Sequence, residues 1–117
     1  MSNTYTNRYY CYNGHIEVVK YLVEHGADIN KEDNKGWTPL LWTCQEGHTE
    51  IIKYLVKYGA DINKEADDGT TSLYMACESG HIEVVKYIMQ YETDINKEDS
   101  DGYTPFFFLL VKMDISK

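Results

Sequence analysis

Apolar residues along the chain alternate between two patterns. Ile16, Val19, Leu22 and Val23, and later Ile51, Ile52, Leu55 and Val56, fall near the i, i+3, i+4 spacing that puts side chains on one buried helical stripe. Shorter and more evenly apolar runs lie between the stripes, as in Leu40, Leu41, Trp42, Thr43 and Cys44. Thr38-Pro39 and Thr104-Pro105 precede two of these runs. A threonine hydroxyl can accept from the free amides of a first turn, and a proline at the first helical position gives up an N–H that would go unused. Each run therefore predicts a helix of two to three turns, closed at Gly47 or its counterpart because glycine tolerates the left-handed conformation that ends many helices. The stripes predict a second helix, with Glu17, Glu50 or Glu83 in the first turn facing the positive end of the helix dipole. Gly26 and Gly59 stop it. Ala-Asp-Ile-Asn-Lys-Glu and an acidic, glycine-containing turn follow, and predict an extended loop or hairpin leading to the next Thr-Pro.

The same order of elements returns at a fixed interval. Gly14-His15, Gly47-His48 and Gly80-His81 are 33 residues apart, as are Gly36, Gly69 and Gly102. Residues 14–46 share 18 of 33 positions with 47–79 and 17 with 80–112. Such self-similarity is the signature of a tandem array in which neighbouring units bury one another's apolar faces. The 117 residues then divide into a degenerate N-terminal unit, 1–35, two full units, 36–68 and 69–101, and an incomplete C-terminal unit, 102–117. Residues 1–13 keep the register only loosely and read as a cap.

Gly36-Trp37-Thr38-Pro39-Leu40, then Cys44-Gln45-Glu46-Gly47-His48, Ile51-Ile52-Lys53-Tyr54-Leu55-Val56 and Gly59-Ala60-Asp61-Ile62-Asn63 resemble the ankyrin repeat over nearly the whole chain. The resemblance implies an all-α solenoid of stacked helix-turn-helix units joined by hairpin loops that project at a right angle. Departures from the family pattern carry expectations of their own. Leu41, Tyr74 and Phe107 replace the histidine of the Thr-Pro-Leu-His motif, so the hydroxyl-to-imidazole network at the start of the first helix should be absent and stability lower. Glu92-Thr93 stands where earlier units have Gly-Ala, which predicts fraying at the end of that second helix. The residues 106–111 are larger than those around Cys44 and Cys77. Phe106, Phe107 and Phe108 thus predict either an exposed apolar face suited to self-association or packing onto the preceding unit.

Composition narrows the function. With 43% hydrophobic and 26% charged residues the chain has material for a folded core. Eleven basic against 19 acidic residues give a net charge of −8, which argues against nucleic acid and anionic membranes as partners. Residues 28–35, 61–68 and 94–101 net −1, −3 and −3, so the hairpins hold −7 of that −8. No apolar run exceeds six residues, the N-terminus lacks the apolar core of a secretory signal, and three cysteines at unit spacing point to a reducing, intracellular setting, cytoplasmic or nuclear. His15, His48 and His81 form a ladder, but stacked helices lie about 8–10 Å apart, beyond the shared reach of Zn–N bonds of about 2 Å. Cys11, Cys44 and Cys77 are separated likewise, beyond disulfide range, and read as small core residues. Tyr21, Tyr54 and Tyr87 read as packing along the backs of the second helices. No phosphate loop, paired-cysteine zinc spacing, nucleophile elbow or His-Glu-x-x-His helix is present, so the sequence predicts neither an enzyme nor a cofactor.

The resemblance therefore implies a protein-interaction scaffold, whose partner lies along the hairpin tips and the exposed, concave side of the first helices. The matching hairpin positions are Asn34, Lys35 and Trp37; Asp67, Asp68 and Thr70; Ser100, Asp101 and Tyr103. On the first helices they are Trp42, Gln45 and Glu46, then Met75, Glu78 and Ser79. Trp37 and Tyr103 would be aromatic anchors, with the alternative that Trp37 only covers its own hairpin. The carboxylates would speed association with a basic partner. A second implication is that Asn30 and Asn63, in an L-x5-D-I-N pattern, are substrates of an asparaginyl hydroxylase. A third is that the chain is one segment of a larger adaptor or effector.

Overall fold

In the computed structural model, residues 13–91 and 93–115 are described, with side chains except those of Leu109 and residues 112–115. Most of the expected N-terminal cap, and Cys11 and Glu92, lie outside them. Among the described residues six helices follow one another: α1 Ile16–Glu24, α2 Pro39–Glu46, α3 Thr49–Lys57, α4 Ser72–Ser79, α5 Ile82–Ile88 and α6 Pro105–Ile115. No strand occurs among the described residues. The first helices of the units, α2, α4 and α6, pack side by side in one layer, and the second helices, α1, α3 and α5, in another. Within a unit α2 packs on α3, and α4 on α5.

The first helices start where the threonines place them. Thr38 Oγ1 accepts from Leu41 N at 3.4 Å, Thr71 Oγ1 from Tyr74 N at 3.1 Å and Thr104 Oγ1 from Phe107 N at 3.2 Å. Each hydroxyl satisfies an amide that has no partner within the helix. Ser72 occupies the proline position of α4 and donates its hydroxyl to Ile62 O at 2.6 Å, which ties the helix start to the preceding loop. The second helices have no side-chain cap at His15, His48 or His81. α5 has seven residues where α1 and α3 have nine, so it closes two residues early; the fraying expected at Glu92-Thr93 falls on a position, 92, outside the described residues.

The core runs continuously through the stack: Leu40, Cys44, Ile51, Ile52, Leu55, Leu73, Ala76, Cys77, Val84, Val85 and Ile88 are all buried. Cys44 and Cys77 are free thiols, and burial pushes both up, Cys77 to about 11. At neutral pH they stay protonated and behave as small apolar residues.

Successive units are locked at the junction of the two helices. Gly47 closes α2 with φ +76°, and a Cβ there would lie 2.7 Å from His81 Nδ1. The imidazole of one unit therefore lies directly on the bare backbone of the unit before. His81 Nε2 also lies 3.0 Å from Gln45 O. Gly14 and His48 repeat the contact, with a Cβ on Gly14 falling 2.9 Å from His48 Cε1.

One contact within the unit 69–101 differs from the sequence expectation. The missing histidine at position 74 does not leave that site without a polar network, because the Tyr74 hydroxyl donates a hydrogen bond to the Asp99 carboxylate of the next hairpin. Burial pushes the Tyr74 phenol up, and the bond to Asp99 pushes it further. For Asp99, burial opposes ionisation, but the Tyr74 hydroxyl and the amides of Tyr103, Asp101 and Gly102 together outweigh it and hold the carboxyl below the ordinary aspartate value.

Two outcomes follow from these contacts. Gly47→Ala should lose about 2 kcal/mol or more in urea unfolding, from left-handed strain plus the imidazole contact, whereas Gly59→Ala, with open space around its Cβ, should lose less. Tyr74→Phe should raise the titration midpoint of the Asp99 carboxyl, read by carbon NMR. A carboxyl lowered by folding stabilises above its unfolded value and loses that contribution as pH falls through the folded value. The stability gap between wild type and Tyr74→Phe should therefore shrink on acidification below about pH 4.

Candidate protein-binding surface

Each hairpin is closed by its own aspartates. Asp33 N donates to Trp37 O at 2.8 Å and Asp99 N to Tyr103 O at 2.8 Å, with Ala66 N to Thr70 O at 2.9 Å in between. Asp33 Oδ1 accepts from Lys35 N and Trp37 N at 2.9 and 3.0 Å, and Asp99 Oδ1 from Asp101 N and Tyr103 N at 2.8 and 2.9 Å. Position 66 is alanine, so the middle hairpin uses another residue: Asp68 Oδ1 accepts from Thr70 N at 3.1 Å and Thr70 Oγ1 at 2.7 Å. Asp28, Asp61 and Asp94 each cap the amide two residues on, at Asn30, Asn63 and Asn96, with distances of 2.9–3.0 Å. Short side-chain acceptors of this kind hold turns that the backbone alone would leave open.

The hairpins are then stitched to one another. Asp67 N donates to Lys35 O at 3.0 Å and Ser100 N to Asp68 O at 2.9 Å. Asn30 Nδ2 donates to Gly59 O at 3.0 Å while Asp61 N donates to Asn30 Oδ1 at 2.9 Å. Lys64 pairs with Glu32 at 3.0 Å and Lys97 with Glu65 at 3.4 Å. These ion pairs are half exposed, so they mark the register more than they stabilise it.

Six of the eight hairpin aspartates are thus tied into turns, and two of the three hairpin glutamates into ion pairs. Asp67, Asp101 and Glu98 are exposed and accept no hydrogen bond or ion pair among the described residues. The acidic character of the ridge is accordingly of two kinds: carboxylates that build it, and three that it presents. Glu98 is absent from the residues singled out by sequence. The missing signal was the pairing of its counterparts Glu32 and Glu65, which only the stacked geometry reveals.

Of the tip residues named from sequence, Asn34, Lys35, Asp67, Asp68, Ser100, Asp101 and Tyr103 are exposed. Trp37 is half-buried, with its ring 4.5 Å from that of Trp42 and in contact with the core, so it covers its own hairpin base while keeping one edge in solvent. Trp42, Gln45, Glu46, Glu78 and Ser79 are half-buried too. Gln45 turns inward, its Oε1 buried. Two positions must be corrected. Thr70 is 3% exposed because its amide and hydroxyl both face Asp68, and Met75 is 5% exposed because α2 and α6 pack on either side of α4. Neither offers a surface to a partner.

The back of the array is organised by lysine and tyrosine. Lys20 Nζ lies 5.9 Å from the ring centre of Tyr54, and Lys53 Nζ 5.8 Å from that of Tyr87. These cation–π contacts link second helices across units. Burial and a hydrogen bond to the Tyr91 hydroxyl push Tyr87 up to about 12. Among the described residues no group of three or more His, Cys, Asp or Glu is placed to hold a metal ion, and no helix is long and apolar enough to cross a membrane.

Comparison with known proteins agrees with this architecture. Short segments resemble curated proteins: 24 residues are 71% identical to the potassium channel AKT1 of Arabidopsis thaliana, covering 20% of this chain and 3% of the channel. A segment of 27 residues is 59% identical to protein phosphatase 1 regulatory subunit 27 of Homo sapiens, covering 23% of this chain and 18% of that protein. The chain thus spans only a small fraction of these relatives. The family profile "Ankyrin repeats (3 copies)" matches residues 8–99 and 61–111. With that coverage, the 33-residue period and the stacked helix pairs, the chain belongs to the ankyrin repeat family.

Proposed function

We propose that the chain is a non-catalytic, intracellular interaction module that holds a basic segment of another protein along its hairpin tips. The observation that carries this reading is the division among the carboxylates. Asp67, Asp101 and Glu98 project from a ridge whose other acids are occupied in building it. Asn34, Lys35, Asp68 and Ser100 flank them, and Tyr103 supplies an exposed aromatic face. Trp37, Trp42, Gln45, Glu46, Glu78 and Ser79, all half-buried, form the wall behind the tips and can contact a partner only by their edges. The name of one relative, a phosphatase regulatory subunit, is that of a protein acting through another, which fits a binding role. A concentrated negative ridge speeds encounter with a basic partner and loses that advantage as salt screens it.

Ankyrin arrays generally mediate protein–protein contacts, and a segment of a larger adaptor would use the same surface. For Asn30 the geometry favours a structural role over enzymatic hydroxylation. Both ends of its carboxamide bridge to the next unit, and an enzyme would have to draw the loop open to reach it.

The test is Asp67→Lys with Asp101→Lys, substitutions that break no hydrogen bond made by either side chain. Captured proteins should be basic, bound more weakly at high salt, and lost at least about tenfold from the double variant while its helical circular dichroism stays unchanged. Capture that is equal in wild type and variant would place the binding surface elsewhere.

A further inference from the structure

The second and third hairpins are held in different ways. In the second, position 66 is alanine, the aligned first-helix residue is Leu41, and both are buried. Its turn rests on Asp68, which is itself exposed. In the third, Asp99 stands at the position of Ala66 and Tyr74 at that of Leu41. Across one period an apolar pair is thus exchanged for a hydrogen-bonded one.

Both oxygens of the Asp99 carboxylate are in use. Oδ2 accepts from the Tyr74 hydroxyl, and Oδ1 accepts from Asp101 N at 2.8 Å and Tyr103 N at 2.9 Å. An aspartate carboxyl turns easily about its last bond, so a turn gripped through Oδ1 alone would follow that rotation. The bond at Oδ2 removes it, because Tyr74 is 5% exposed and fixed within the helix layer. Phe108 steadies the ring from the other side. Alone of the three phenylalanines named from sequence it turns inward, edge-on to Tyr74 at 5.2 Å and 5.5 Å from the ring of Tyr103, while Phe106 and Phe107 stay exposed. The path from α4 to the tip of the hairpin therefore runs through one hydroxyl, one carboxylate and two amides. Those amides belong to Asp101 and Tyr103, whose side chains are exposed at the ridge.

Resting on the reading of that ridge as the surface for a basic segment, we propose that Tyr74 is its positioning residue: the buried hydroxyl, acting through Asp99, sets where Asp101 and Tyr103 stand without touching the partner. The second hairpin has no such tie from Leu41, an apolar side chain, and Asp67 is placed instead by its backbone bond to Lys35 O at 3.0 Å. A partner that meets a tip already ordered loses less freedom on binding, so removal of the tie weakens binding about three- to tenfold.

Tyr74→Phe tests the proposal in the full chain, since it deletes the hydroxyl and keeps the ring against Phe108. Amide hydrogen exchange followed by NMR should be at least about fivefold faster at Asp101 and Tyr103. Lys35 and Trp37, whose amides Asp33 holds in the first hairpin, should keep their rates, whereas a general loss of stability would quicken both hairpins alike. An octalysine peptide titrated at low salt should bind the variant about three- to tenfold more weakly, and that loss should vanish in a chain already carrying Asp101→Asn and Tyr103→Ala. Unchanged exchange at Asp101 and Tyr103, or equal quickening of both hairpins, would overturn the proposal, and so would octalysine binding that the variant leaves unaltered. A wild-type chain that does not bind octalysine would contradict the basic-partner reading instead, and the exchange rates would still decide whether Tyr74 sets the tip.

Discussion

The array depends on a side chain lying against a bare backbone. Where a first helix ends, glycine supplies both a left-handed residue and the absence of a Cβ, and the next unit's histidine fills the space, as at Gly14 with His48 and Gly47 with His81. This contact fixes the translation from one unit to the next. Once it is set, the carbonyl of Gln45 meets the His81 ring and the second helix starts at a defined height. The stripes of α3 and α5 then pack on the first helices of their own units, and the hairpins arrive in register for Asp67 N to find Lys35 O. A repeat protein has few contacts of high sequence separation, so a small error at each junction would accumulate along the stack.

The surface follows from that register. Hairpins projecting side by side need their turns held without the help of a sheet, and aspartate side chains do this cheaply because a carboxylate accepts two amides at once. The same residues make the ridge negative. A bulk charge of −8 therefore reports first on how the loops are built and only secondarily on a partner. Asp67, Asp101 and Glu98 can be reversed in sign without removing a turn. Asp33, Asp68 and Asp99 cannot, since each holds backbone amides.

The period, the helix starts at Thr38 and Thr104 and the buried cysteines at 44 and 77 were legible in the sequence because each rests on local chemistry or on repetition. What was not legible depends on neighbours. Met75 and Trp42 occupy equivalent positions, yet Met75 is enclosed because first helices flank α4 on both sides. Thr70 aligns with Trp37 and Tyr103 but turns inward, because Ala66 replaces an aspartate and Asp68 must hold the turn from the other side. Tyr74 shows the same dependence: a lost histidine read alone predicts a lost network, whereas a phenol reaches the next hairpin and bonds Asp99. Phe106, Phe107 and Phe108 are identical in composition and differ only in which way the helix turns them.

If the glycine–histidine contact sets the spacing of the units, a double-mutant cycle on Gly47→Ala and His81→Ala reads its energy. Left-handed strain on residue 47 remains in both backgrounds, so any change in the penalty reports the contact itself. Gly47→Ala should destabilise the chain by about 1 kcal/mol or more less when His81 is already alanine. Strictly additive losses would contradict it.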